Sequence, residues 1–191
     1  IKGKAPNGWP YVPATTFGEN PVTYHEGIYV GYRYYDTFNV PVSYEFGYGK
    51  NYSDFSYSKP KLSSKTFNKS IKVSVDVKNT SKVPGKEVVQ VYVGAPGKAM
   101  HKPLKELKAF GKTRELGKNE RQTLTFTLDA RSLASFDEER SAWVVEPGKY
   151  TVYIGASSKD IKHTLNFTVE KEIIVEKVND VLKPVVDIEE I

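Results

Sequence analysis

The stretch IKVSVDVK, residues 71–78, alternates apolar and polar side chains along its whole length. A period of two is typical of a strand that buries one face and exposes the other, so Ile71, Val73, Val75 and Val77 should point into a core. Further stretches rich in β-branched and aromatic residues follow, each separated from the next by turn-forming residues. We predict strands at 87–93, 104–113, 122–128, 142–145, 150–154 and 161–169.

These seven strands predict a mainly β fold. No helical period separates them, which favours two antiparallel sheets in a β-sandwich over a parallel α/β sheet. One short helical turn interrupts the pattern, because Asp129 is a suitable N-cap for residues 130–135. We expect that turn to direct Leu133 and Phe136 toward the core.

The region before the sandwich is dominated by aromatic residues. The stretch YHEGIYVGYRYYDTFNVPVSYEFGYG, residues 24–49, contains nine aromatic side chains and four glycines. Aromatic rings contribute large buried areas, so we expect this stretch to dock onto protein outside the chain. Its mixed periodicity predicts a helical turn or bend near 25–30, followed by an extended segment at 32–35. The preceding residues form a proline-rich irregular arm, in which Trp9 either stacks on a sugar or anchors the arm in an apolar crevice.

Composition and charge exclude several classes of function. The chain has 191 residues, 39% of them hydrophobic and 27% charged, which is typical of a folded globular protein. It has no cysteine, and its three histidines (His25, His101 and His163) lie in unrelated contexts, so we expect no metal and no cofactor. No apolar run has the length of a membrane span. Residues 61–170 hold twenty basic and twelve acidic side chains; the lysines are scattered, which indicates a solvated surface and not a nucleic-acid site.

Several short stretches of the sequence resemble one family of enzymes. EGIYVGYRYYD (26–36) and YEFGYG (44–49) are similar to the end of the α/β sandwich domain of glycoside hydrolase family 3, where it leads into a fibronectin type III-like domain. Lys50 and Asn51 depart from the family pattern, whereas Tyr52, Ser53 and Phe55 keep its spacing. Further matches are VPGKEVVQVYV (83–93), PLKELKAF (103–110) and the run 128–150, so the resemblance covers most of residues 24–170.

The resemblance implies a division into three parts. Residues 1–60 would be an irregular segment that completes the α/β sandwich domain, and residues 61–170 an immunoglobulin- or fibronectin type III-like antiparallel β-sandwich. Residues 171–191 would be a linker or tail that packs on a neighbouring domain; a linker would fit members with an inverted domain order. In the family, the loop at 95–103 faces the catalytic domains, so Met100 and His101 either help to shape an entrance or lie in a solvated connection.

The resemblance also implies a function for the whole enzyme, the retaining hydrolysis of terminal non-reducing β-D-glucosyl residues. Neither catalytic carboxyl motif of the family has a match here, so we expect no catalytic residue in this chain and leave its substrate-binding residues unknown. Glu26 should accept hydrogen bonds, and Arg33 should form a structural ion pair with Asp36. The expected partners are the remaining barrel and α/β sandwich domains and a β-glucoside or oligosaccharide substrate, without nucleic acid or membrane; a homo-oligomer stays open.

Two alternatives remain at the level of sequence. The chain could play the same role in a β-xylosidase or an N-acetylglucosaminidase, since the residues that choose the sugar would lie mainly elsewhere. It could instead be a basic polysaccharide-binding module, in which case a line of exposed aromatic residues should cross one face of a sheet.

Overall fold

A computed structural model describes residues 27–58 and 60–179 of the chain. Every element found there belongs to one compact unit. The helices are α1 (Tyr32–Thr37) and α2 (Ala130–Leu133); the strands are β1 (Phe55–Tyr57), β2 (Lys61–Leu62), β3 (Ser70–Asn79), β4 (Val88–Gly94), β5 (Glu106–Lys112), β6 (Arg121–Asp129), β7 (Ser135–Asp137), β8 (Ala142–Val145), β9 (Gly148–Gly155), β10 (Ile161–Val169) and β11 (Ile173–Lys177). Neither helix in this part of the chain is long and apolar enough to cross a membrane.

The alternating stretch at 71–78 forms the centre of the first sheet. Strand β3 pairs with β6 on one side and with β1 and β2 on the other, all antiparallel. Its four alternating apolar residues are almost completely buried, as predicted: Ile71, Val73, Val75 and Val77. Two more antiparallel sheets complete the fold, in the strand orders β10-β9-β4-β5 and β11-β8-β7.

The core lies between the β3 sheet and the β4 sheet. Ile71 and Leu128 from the first sheet are buried in the same cluster as Val91 and Ile154 from the second. The ring of Tyr150 stacks on a phenylalanine of β10 with centroids 5.2 Å apart. The seven strands expected from the sequence are all present, so the prediction of a mainly β, fibronectin type III-like sandwich is confirmed.

The short helical turn after β6 is only partly as predicted. The Asp129 carboxylate accepts a hydrogen bond from Ser132 N at 2.8 Å, and Leu133 is buried. The expectation for Phe136 was wrong: its side chain is 38% exposed and lies 5.5 Å from the ring of Trp143. The reason is that α2 ends at Leu133, so Phe136 belongs to strand β7 and does not follow the helical period.

Residues 32–35 are helical, so the prediction of an extended segment there was wrong. Helix α1 begins after Gly31, whose φ of 60° turns the chain into the helix. Tyr32 and Asp36 lie one helical turn apart and both contact the sandwich. The two residues that contact the sandwich are thus four positions apart, which is a helical spacing. The many aromatic residues around them concealed this helical pattern in the sequence.

The start of the expected linker belongs to the sandwich. Residues Ile173–Lys177 form β11, which pairs with β8, so a linker beginning at residue 171 was wrong for this stretch. Strand β1 similarly extends the sandwich before residue 60, because it pairs with the end of β3. Residues 180–191 lie outside the described part, as do Trp9, His25 and Glu26.

Candidate functional site

The aromatic segment before β1 packs on strands β4 and β5 of its own chain. The ring of Tyr32 stacks on Phe46 with centroids 4.5 Å apart, and its edge meets Tyr92 at 5.9 Å. The Tyr32 hydroxyl accepts a hydrogen bond from Leu107 N at 2.7 Å. Burial is the main reason why the pKa of Tyr32 is raised above its ordinary value. Part of the stretch that we expected to dock outside the chain therefore docks onto the sandwich.

A buried glutamine of β4 joins this segment to the residue that follows β9. Gln90 Nε2 donates to the carbonyl oxygens of Gly47 at 3.2 Å and Ala156 at 2.6 Å, while the Tyr92 hydroxyl donates to Gln90 Oε1. Sequence reasoning passed over this residue. The sequence feature that could have identified Gln90 is a single amide side chain in the apolar run VVQVYV. A polar side chain inside a central strand must find a buried hydrogen-bond partner.

Charged side chains hold α1 against the loop before β5 and the start of β5. The Asp36 carboxylate is almost completely buried and accepts from Lys105 Nζ at 2.8 Å; Lys159 Nζ lies 3.4 Å away. Arg33 instead pairs with Glu106 at 3.3 Å. The predicted pair between Arg33 and Asp36 was wrong because each of them points to a separate partner on the sandwich.

The other face of the segment presents apolar side chains to solvent. Tyr44 is 71% exposed and Tyr52 is 97% exposed. The remaining exposed large side chains of this segment are Ile28, Val30, Tyr35, Phe38, Val42, Phe46 and Tyr48. A concentration of this kind is typical of an interaction site, whereas scattered single residues are not.

A polar cleft of about 410 Å³ lies beside the segment that leads into β1. Its wall contains Glu87, which is 7% exposed and accepts from Asn51 Nδ2 and from the Tyr57 hydroxyl, each at 3.2 Å. Burial raises the pKa of Glu87, and the bond from Tyr57 opposes that shift. The lining also includes four lysines: Lys50, Lys86, Lys112 and Lys162. The network ties the segment before β1 to the start of β4.

The loop at 95–103 is anchored and is not a purely solvated connection. Glu146, in the turn between β8 and β9, accepts from Ala99 N at 2.8 Å and pairs with Lys102 Nζ at 2.6 Å. Both charged side chains are nearly inaccessible to water. His101 is exposed, and His163 lies in β10 with a ring nitrogen 3.3 Å from the carbonyl oxygen of Tyr57.

Comparison with known proteins places this architecture in one class. The family model of fibronectin type III-like domains matches residues 87–158. The structure of β-glucosidase 3B from Thermotoga neapolitana in complex with glucose is similar to this chain with a TM-score of 0.76 and 47% identity, over 83% of this chain and 22% of that one. The fold is therefore a fibronectin type III-like sandwich of the kind found in larger glycosidases.

Relatives known by sequence agree with that class. The β-glucosidase BoGH3A of Bacteroides ovatus is 45% identical over 178 residues, which is 86% of this chain and 24% of that protein. An exo-α-(1→6)-L-arabinopyranosidase of Bifidobacterium breve is 43% identical over 80% of this chain and 20% of its own length. The chain contains a fibronectin type III-like domain and is similar, over most of its own length, to one part of larger β-glucosidases and related glycosidases. It spans about a quarter or less of the length of these relatives.

Proposed function

We propose that this chain is the non-catalytic part of a retaining β-glucosidase that hydrolyses terminal non-reducing β-D-glucosyl residues. The observation that carries the proposal is the 45% identity with a β-glucosidase, extending over 86% of the chain. The similarity includes the sequence before the sandwich as well as the sandwich itself, because it extends well beyond residues 87–158.

The chemistry of such an enzyme requires two carboxyl groups roughly 5–5.5 Å apart, one as nucleophile and one as acid and base. We place both groups in polypeptide outside these 191 residues. The role of this chain is then mechanical. Tyr32, Gln90 and Asp36 hold the aromatic segment on the sandwich, and the exposed face of that segment meets the catalytic domains. Such bracing matters because a misplacement of about 1 Å can reduce the rate on the order of 100-fold.

The proposal assigns the parts of the chain to neighbouring domains of one enzyme. Residues 1–54 complete the α/β sandwich domain, because β1 already belongs to the fibronectin type III-like sandwich. The sequence after β11 leads toward a neighbouring domain, as in an inverted domain order. The exposed aromatic side chains support the first assignment, since they require a larger apolar partner. The proposed partners are thus the remaining domains and a β-glucoside or oligosaccharide substrate.

One relative supports a second candidate for the sugar that the complete enzyme would hydrolyse. The arabinopyranosidase named above is nearly as similar to this chain as the β-glucosidases are, so an enzyme that acts on arabinopyranosides would use the same bracing part. The β-xylosidase and N-acetylglucosaminidase alternatives gain no support from this relative. The polysaccharide-module alternative gains no support. Within the described residues, six of the exposed aromatic side chains lie before β1, at 35–52. The two others, Phe110 in β5 and Phe136 in β7, lie in different sheets, so no line of them crosses one face.

The test is to assay the complete enzyme and the isolated chain side by side. The enzyme should hydrolyse an aryl β-D-glucoside faster than the corresponding β-xyloside or N-acetyl-β-glucosaminide, and the first product should retain the β configuration. The purified 191-residue chain should give no turnover above background. Turnover by the isolated chain would contradict the non-catalytic role, and a faster β-xyloside reaction would contradict the sugar assignment.

A further inference from the structure

Strand β6 is a long and regular strand at the edge of the first sheet. It has nine residues, Arg121–Asp129, and pairs with β3 along its whole length without a register shift. Within the described residues no other strand pairs with its second side. Every second residue of an edge strand directs its N–H and C=O groups away from the sheet, so β6 offers a template for one more strand.

The other sheet edges in the described part of the chain are each protected. Strand β10 is equally long, but its pairing has a register shift and residues 65–67 hydrogen-bond to the backbone of Thr168. The pairings of β5 and β11 also contain register shifts, and β5 carries Lys108 and Lys112. Strands β1, β2 and β7 have at most three residues. Bulges, lysines and short length are the usual protection against edge pairing, and β6 has none of the three.

The side chains of β6 suit a sheet that continues beyond it. Its outer face carries exposed threonines between the two end residues: Thr123, Thr125 and Thr127. On the inner face Phe126 is buried, whereas Leu124 packs against the core and is only partly buried. A further strand along the free edge would cover the open side of Leu124 and leave the threonines in water.

The charges at the two ends of β6 are complementary to each other. The only charged residues of the strand are Arg121 at its start and Asp129 at its end, and both are exposed. Two copies of β6 that lie antiparallel and are centred on Thr125 therefore bring Arg121 of each copy opposite Asp129 of the other. Opposite charges in directly opposed positions stabilise a strand pair, and like charges destabilise it.

We propose that β6 is a homodimer interface, in which the free edges of two copies of this chain pair antiparallel about a two-fold axis at Thr125. A shift of the register by two residues in either direction separates Arg121 from Asp129 of the other copy, so the end charges select this one register. In this register Leu124 of each copy lies opposite Phe126 of the other. The interface uses the same strand twice and closes on itself, so it gives a dimer and not a fibre.

This interface is separate from the face that the proposed function assigns to the catalytic domains. The aromatic segment packs on β4, on β5 and on the loop before β5, and no described hydrogen bond joins it to β6. Strand β5 meets β6 from the core side, where a Cβ at Gly111 would lie 3.1 Å from the ring of Phe126. The inference does not depend on the proposed hydrolysis, and its measurements are of association and not of activity.

The first experiment is sedimentation velocity of the 191-residue chain and of the complete enzyme, from about 1 µM to about 200 µM. Both should dimerise with a Kd of about 10–100 µM, because one pair of strands covers less area than a standard interface. Thr125→Lys places two like charges at the axis and should raise the Kd at least about tenfold. The matched control, Thr164→Lys, adds the same charge to an exposed position of β10 and should leave the Kd unchanged.

Three results of this experiment would overturn the proposal. The first is a chain that stays monomeric over the whole concentration range, and the second is an equal Kd for the two lysine variants. The third is a dimeric chain with a monomeric complete enzyme, which would show that another domain of the enzyme covers the edge of β6.

Two charge-reversed variants test the register and the identity of the partner. Arg121→Glu and Asp129→Lys each place like charges at both ends of the pair, so each variant alone should have a Kd raised at least about threefold. An equal mixture should dimerise as tightly as the unchanged chain, because both ends of a mixed pair again join opposite charges. Asp129→Lys also removes the N-cap that binds Ser132 N, so its melting temperature verifies that it is folded. A mixture that associates no more tightly than either folded variant alone would refute the interface.

Discussion

Gln90 illustrates how a single side chain connects parts of this molecule that are distant in sequence. Its amide contacts Gly47 from the aromatic segment and Ala156, which directly follows β9, while Tyr92 donates to its oxygen. In a β-sandwich, such a buried amide is tolerated only if each of its polar atoms has a partner. The backbone of the segment supplies one of these partners, so the segment helps to satisfy the core of the sandwich.

The close approach of Gly47 to Gln90 gives the first prediction. Gly47 has a φ of 81°, and a Cβ at this position would lie 2.2 Å from Gln90 Oε1. Gly47→Ala should therefore reduce the free energy of unfolding by about 1–3 kcal/mol, through backbone strain and displacement of the amide. Gly49→Ala is the matched control, because its added Cβ meets nothing within 4 Å. Chemical denaturation measures both; equal stabilities would contradict the role of this contact.

Glu87 gives a prediction about pH. Burial is the largest cause that raises its pKa above the ordinary 4.5, so the native state binds this proton more tightly than the unfolded state does. Its contribution to stability is fully present below the ordinary pKa and is lost as pH rises through the raised value. Glu87→Gln should therefore reduce the fall in melting temperature between about pH 4 and about pH 7, relative to the unchanged chain.

The comparison with the unchanged chain is essential for that measurement. Three exposed carboxylates, Glu120, Asp137 and Glu172, have lowered pKa values and act with the opposite sign. They are present in both proteins and cancel in the difference. A larger fall in the Glu87→Gln variant would show that the Glu87 carboxylate is stabilising in its charged form.

At the scale of elements, α1 is too short to be stable by itself and depends on the sandwich. It has six residues, fewer than an isolated helix needs in water, and no side-chain cap at its N-terminus. Its stability comes from Tyr32 and Asp36, which contact the loop before β5 and β5 itself. The same sandwich surface thus decides both the conformation and the position of the helix.

The buried pair between Asp36 and Lys105 tests this dependence. Asp36→Asn should reduce the free energy of unfolding by about 3–5 kcal/mol, because it leaves the buried ammonium without its charged partner. Glu120→Gln breaks the exposed pair with Arg114 and should change the free energy of unfolding little, because solvent screens both charges. A loss for Asp36→Asn as small as that for Glu120→Gln would mean that α1 is not anchored by its charge.

Strand β11 provides a prediction at the same scale. Its residues pair with β8, so backbone amides within 173–177 should exchange with solvent on the order of 100 times more slowly than those of an unstructured peptide. The exposed stretch at 49–52 provides an internal reference for rapid exchange, because its backbone amides donate no hydrogen bond within the described part of the chain. Hydrogen exchange followed by mass spectrometry measures both stretches. Exchange at 173–177 as fast as in this reference would restore the linker interpretation.

At the scale of the whole molecule, the aromatic segment has two faces with different roles. One face packs on the sandwich through Tyr32, and the other exposes Phe38, whose only ring neighbours in the described part are Tyr29 and Tyr34. If the exposed face meets the catalytic domains of a complete enzyme, replacing a side chain by alanine should have different effects on the two faces. This distinction can be measured without knowledge of the partner surface.

The prediction compares two variants in two proteins. Tyr32→Ala should lower the melting temperature of the isolated chain and of the complete enzyme, since it removes about 2 kcal/mol or more of packing in both. Phe38→Ala should change the isolated chain little, but should lower the melting temperature and kcat of the enzyme together. An unchanged melting temperature with at least about a 100-fold lower kcat/KM would instead place Phe38 at the substrate.

The sequence by itself determined the sandwich. Alternation at 71–78, the turn-separated strands and the cap at Asp129 are local patterns, and local sterics and burial of one face are enough to specify them. The stretches 26–36 and 44–49, which resemble glycoside hydrolase family 3, likewise predicted the similarity to β-glucosidases that the comparisons found. The absence of a recognisable catalytic pair was also inferred from the sequence and stays a prediction for the enzyme assay.

Only the tertiary structure decided what the aromatic segment does. The helix at Tyr32–Thr37, the partners of Asp36 and the strand at Ile173–Lys177 all depend on residues far away in the chain. Pairing across such distances leaves no periodic signal, because the free energy comes from desolvation and from contacts that exist only after the sheets have formed.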